Sequence, residues 1–157
     1  MANKSARDAS ANIEVKDVTL VLDTNIYADG DVLAIPQEVT YVFPEVGGKR
    51  VLESIVVLDE DDQNIAMDII FMNATGTLGT INLAVSISDA DARKIIGAVN
   101  IATTDYFDLI NSRLGVKRGL GLVLQGSASD SLWVAAVTRG GTPTHTASGI
   151  KLKLGFA

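Results

Sequence analysis

The stretch Ile150-Lys151-Leu152-Lys153-Leu154-Gly155-Phe156 places an apolar side chain at every second position. A repeat of two belongs to an extended strand with one dry face and one wet face, and a helix would scatter the same side chains around its axis. The alternation recurs upstream. Leu132, Val134 and Ala136 stand against Trp133, Ala135 and Val137, and Leu120, Leu122 and Leu124 against Gly119, Gly121 and Val123. Residues 52–58 and 65–72 are β-rich apolar runs, and residues 32–35, 39–43 and 81–87 add further strand candidates. Roughly eight to ten such runs, punctuated by Gly, Asn and Asp, define an all-β plan of short antiparallel strands.

Details of the strands follow from parity and turn chemistry. Ile13 and Val15 share one face while Val18, Leu20 and Leu22 take the opposite parity, which predicts a bulge or break near Lys16-Asp17. Residues 59–64, Asp-Glu-Asp-Asp-Gln-Asn, read as a hairpin loop between the two runs that flank them. Gly119 and Gly121 suggest a strand face that another element approaches closely.

One helix is signalled. Ser88 suits an N-cap, Asp89 and Asp91 suit the positive end of a helix dipole, and Ala92, Ile95, Ile96 and Val99 follow the i, i+3, i+4, i+7 spacing. The expectation is a mainly β domain, an antiparallel β-sandwich or barrel-like fold, with one short amphipathic helix at about 89–99. Residues 13–157 form the single domain. Residues 1–12 are polar and small, the composition of a flexible or partner-ordered N-terminal arm. The chain's 157 residues suffice for one core, and an aromatic fraction of 5% makes that core aliphatic.

Several chemistries fall away. The chain has no cysteine, which removes disulfides, thiolate metal sites and thiol nucleophiles. A net charge of −6 argues against a nucleic-acid partner, and no apolar run is long enough for a transmembrane helix or signal peptide. No cofactor fingerprint is present, because Gly119-Leu120-Gly121 lacks a third glycine and leads into a strand. The lone histidine, His145, sits in a Gly-Thr-Pro loop without a nucleophile elbow and reads as an exposed loop residue. No catalytic residue is expected.

Three clusters remain as candidates. Asp59, Asp61 and Asp62 lie in an acidic run that suits a hard cation in principle, although EF-hand spacing fails, and a solvated turn explains the run more simply. Asp23, Asn25, Asp29 and Asp31 are turn formers whose side chains bond nearby backbone amides. Lys4, Arg7 and Asp8 in the arm, with Arg113, Lys117 and Arg118, are candidate partner-binding residues.

The stretches VTLVLDTNIYADGDVLA, ESIVVLDEDDQNIAMDIIFMN, LGTINLAVSISDADARKIIG and LWVAAVTRGGTPTHTASGIKLKLGF together resemble small structural proteins of tailed bacteriophages and prophages. The likeness spans about residues 18–157 and is strongest to capsid decoration, or cement, proteins. It implies a non-enzymatic β-rich virion component, made in the host cytoplasm and seated on the capsid surface. It also implies a homo-oligomer, a trimer above all, that binds the major capsid protein at three-fold or quasi-three-fold sites and stabilises the shell. It assigns no individual residue a role. A neck or tail component is an alternative within the structural class, and a carbohydrate-binding β-sandwich module lies outside it.

Overall fold

The computed structural model describes residues 13–157. The arm and its candidates Lys4, Arg7 and Asp8 lie outside the described residues. Among the described residues nine strands form two antiparallel sheets: β1 (Glu14–Thr19), β2 (Val32–Val39), β3 (Lys49–Asp59), β4 (Ala66–Met72), β5 (Ile95–Ile101), β6 (Tyr106–Asp108), β7 (Arg113–Gln125), β8 (Leu132–Arg139) and β9 (Ile150–Phe156). A five-stranded sheet runs β1-β9-β3-β7-β6 and a four-stranded sheet runs β2-β8-β4-β5. Their inner faces meet in one aliphatic core, a β-sandwich.

Alternation sorts the residues as the sequence implies. Leu152, Leu154 and Phe156 of β9 and Ile55 and Val57 of β3 point inward against Leu132, Val134 and Ala136 of β8. β8 is buried on both faces. Its outward residues Ala135 and Val137 form a second apolar cluster with Val32, Met72 and Leu78, against which Ile87 packs. Residues 73–88 thus cover the part of the four-stranded sheet's outer face around Ala135 and Val137, while Ala98, Asn100 and Arg139 stay exposed.

Four local expectations are corrected. The helix α1 spans only Asp89–Ala92. Ser88 caps it as expected, accepting the Asp91 N–H at 3.1 Å, but Ile95 to Ile101 leave the helix and pair with β4. Ile95, Ile96, Val99 and Ile101 are β-branched and gain more from a ladder on a half-buried sheet than from a solvated helix. Residues 81–87 make only isolated bridges at Ile81 and Ala84, because the tight turn that bonds Leu83 N–H to Thr80, with Asn82 at φ 57°, breaks the extension. β1 pairs with β9 in unbroken register, so the parity change means that Ile13 and Val15 face outward, and no bulge intervenes. Gly119 and Gly121 adopt φ +65° and +56° in an irregularity of the β3–β7 register, and nothing approaches them closely. Their freedom at positive φ, rather than their small size, is what the strand uses.

The acidic run does not form a hairpin tip. β3 belongs to the five-stranded sheet and β4 to the four-stranded one, so residues 60–65 carry the chain across the end of the sandwich.

Candidate functional site

Three chain segments meet at that end. The crossover is held to the β8–β9 loop where Glu60 N–H donates to Gly149 C=O at 2.8 Å. The segment after β1 joins where Tyr27 N–H donates to Pro143 C=O at 2.9 Å, and Gly140 N–H donates to Asp29 Oδ1 at 2.7 Å.

At the base of this corner lies Asp59, the last residue of β3, only 1% exposed. Its carboxylate accepts the backbone N–H groups of Asp61 (3.1 Å), Gln63 (2.8 Å) and Asn64 (3.1 Å), which fold the crossover around it. Asp62 and Asn64 take φ near +50°, a conformation that Asp and Asn tolerate. Asp61 turns inward, where its Oδ2 accepts the Thr146 N–H at 2.9 Å and its Oδ1 the Thr146 hydroxyl at 3.0 Å. Its carboxylate fills the space that a Cβ at position 149 would occupy, so only glycine fits there.

Beside these carboxylates stands His145. The expectation of an exposed loop histidine is wrong: its side chain is 0% exposed, and neither ring nitrogen has a hydrogen-bond partner among the described residues. Nδ1 lies 3.5 Å from Asp61 Oδ2, too long for a good hydrogen bond. Tyr27 meets the imidazole edge-on at a centroid separation of 6.0 Å, and its own hydroxyl accepts the Asp23 N–H and donates to Leu33 C=O. Burial depresses the histidine below its usual 6.5, against the opposing pull of Asp59 and Asp61, and pushes the Tyr27 hydroxyl up to about 12. Burial therefore favours the uncharged form of the imidazole.

The acidic candidates separate. Asp59 and Asp61 belong to the corner, whereas Asp62 turns to Arg113 Nε at 2.7 Å. His145 is the residue that sequence reasoning missed. It is about 85 positions from the acids along the chain, and only packing brings them together.

The basic spot separates too. Arg113 and Lys117 share the parity of buried Ile55 and Val57, and carboxylates neutralise them: Asp62 and Asp108 for Arg113, and Asp105 at 2.7 Å for Lys117. The Lys117 ion pair, with the Ala102 N–H, outweighs the raising effect of burial and holds Asp105 below the usual carboxylate range. Arg118 points to the opposite face and is exposed, with no described carboxylate paired to it. It borders a hollow with Phe107 and Val116.

That face is the outer surface of the five-stranded sheet, and no described segment covers it. Val56, Leu58 and Leu114 floor a groove of about 380 Å³, while Asp17, Lys151 and Lys153 rim it. Register extends the apolar strip to Phe107, which pairs with Leu114 and is 63% exposed. Leu109 and Ile110, which follow β6 in the chain, are exposed as well.

No family model matches the sequence, and no curated protein matches it. Among solved structures, a chain from Desmodium yellow mottle tymovirus is 6% identical. The match covers 92% of this chain and 79% of that chain, at a TM-score of 0.30. A score that low carries no argument about function. Among the described residues, no helix is long and apolar enough to cross a membrane.

Proposed function

We propose that the chain is a non-enzymatic structural protein of a tailed-phage virion. In this reading it is a decoration protein that lays the open face of its five-stranded sheet on the major capsid protein. It works as a homotrimer at three-fold or quasi-three-fold positions on the capsid surface. The resemblance of the four quoted segments supports the phage assignment. The observation that carries the binding role is the contrast between the two sheets, one with its apolar outer residues packed under residues 73–88 and the other with half-buried Val56, Leu58 and Leu114 flooring a groove that runs to exposed Phe107. An uncovered apolar strip with a charged rim is the usual anatomy of a protein contact. Repetition around a symmetric shell multiplies a modest affinity by orders of magnitude.

Mass measurement in solution followed by cryo-EM of expanded empty shells mixed with the protein tests the reading. Density at three-fold or quasi-three-fold sites, with the five-stranded sheet toward the shell, is the expected result. Phe107→Asp is expected to fold normally and lose shell occupancy, and removing residues 1–12 is expected to weaken it. Bare shells at saturating protein would overturn the proposal and favour a neck or tail position.

A further inference from the structure

We propose that Asp59, Asp61 and His145 form a binding site for one divalent transition-metal ion of the zinc class, a role the proposed shell binding does not require. Two carboxylates alone would be ordinary turn chemistry. The independent observation is the imidazole, which is wholly buried, turns Nδ1 toward Asp61 and has no hydrogen-bond partner at either nitrogen. Buried polar atoms are nearly always satisfied, so the orphaned Nδ1, the nitrogen that faces the carboxylates, asks for a partner of another kind.

The geometry suits an ion. Ligands bound to zinc at 2.0–2.2 Å in a tetrahedron stand roughly 3.3–3.6 Å apart. The 3.5 Å between His145 Nδ1 and Asp61 Oδ2 is long for a hydrogen bond and falls in that interval. One donor atom from each of the three residues lies within 4.8 Å of the others, so an ion would draw the set together by roughly an ångström. Both carboxylates are already oriented by other donors, Asp59 by three backbone amides and Asp61 by Thr146, as ligating carboxylates are in metal sites.

Charge favours the same conclusion. Asp59 and Asp61 stand side by side, and the nearby Arg113 is engaged with Asp62 and Asp108. A mixed nitrogen and oxygen donor set selects zinc-like ions over calcium or magnesium, which take oxygen alone. The ligands are enclosed, with Asp61 the most accessible, and three protein donors leave water the fourth tetrahedral position of the ion. It would tie the β3–β4 crossover to the β8–β9 loop.

The test uses the full chain, stripped with chelator and titrated with zinc chloride. His145 is the single histidine, so its ring nitrogen resonances report directly on coordination. One equivalent of zinc is expected to shift the Nδ1 resonance and raise Tm. His145→Gln and Asp61→Asn are each expected to weaken binding by more than about a hundredfold, the most that loss of an outer-shell partner costs. Asp23→Asn is expected to leave binding unchanged. An unmoved imidazole signal in the unaltered protein, undiminished binding in His145→Gln, or calcium binding as tight as zinc binding would each overturn the site. The resonance measurement needs no variant to fold. Shell binding is assayed without metal, so failure here leaves the capsid proposal standing.

Discussion

Two acidic turns approach the same end of the sandwich and behave differently. In the 23–31 segment each aspartate is satisfied by ordinary backbone donors. Asp23 accepts from the Asn25 backbone and side-chain amides at 2.7 and 2.8 Å, Asp31 from the Ala28 N–H and Asp29 from the Gly140 N–H. The bond from the Asn25 backbone amide is the main cause holding Asp23 below the usual carboxylate range, and its partner Asn25 is exposed. In the 59–64 segment Asp59 is sealed under the crossover, and Asp61 faces an unpartnered imidazole. Local density of carboxylates is the same kind of signal in both. What separates them is the depth of Asp59, and the buried His145 of the β8–β9 loop, which faces only the second.

The sharpest way to break that comparison is Asp59→Ala. Three backbone N–H groups lose a buried acceptor, and a loss of about 3 kcal/mol or more is expected in urea unfolding, at 1–3 kcal/mol for each stranded group. Asp23→Ala is the matched control, and a comparable loss there would show that depth makes no difference.

Next in size is Gly149→Ala, whose methyl would collide with the Asp61 carboxylate. Overpacking of this kind costs about 1–3 kcal/mol. An unchanged urea midpoint would mean that Asp61 does not occupy the corner.

Histidine titration gives a third, smaller effect. Burial lowers the folded-state pKa of His145, so below about pH 6.5 the unfolded chain binds the proton more readily. Stability is therefore complete above that pH and falls as pH drops toward the folded-state value, by at most about 1.4 kcal/mol per unit. The metal-free protein should show this slope between pH 7 and 5, and His145→Gln should flatten it. A slope that persists in the variant would assign the effect to other groups.

The smallest expected change is that of Asp23→Ala itself. Its partners are exposed and turn to water, so its urea midpoint should stay close to that of the unaltered protein, well short of the shift for Asp59→Ala.

Much of the sandwich is legible in the sequence because alternation is a local property. Each of β4, β8 and β9, and β3 beyond its irregularity at Leu52–Ser54, carries its inward set at every second residue, and solvent exclusion acts on that parity whichever strand lies alongside. The helix expectation failed for the same local reason. Ile95, Ile96 and Val99 fit a helical stripe, yet Ile95, Gly97, Val99 and Ile101 equally fit a strand. Only the free edge of β4 decides between them. The acidic run was legible as a turn, but whether it joined one sheet or two was not. Both outcomes need the same polar residues.

The sequence by itself determined a mainly β, aliphatic-cored chain without thiol chemistry, because composition and period-two burial act residue by residue. Tertiary structure alone decided which sheet face stays open and that His145 is buried beside Asp59 and Asp61. It also decided that Arg113 and Lys117 are neutralised while Arg118 faces outward. These are contacts between residues far apart along the chain. Nothing at one position encodes its distant partner, and only the closing of two sheets on one core brings them within reach.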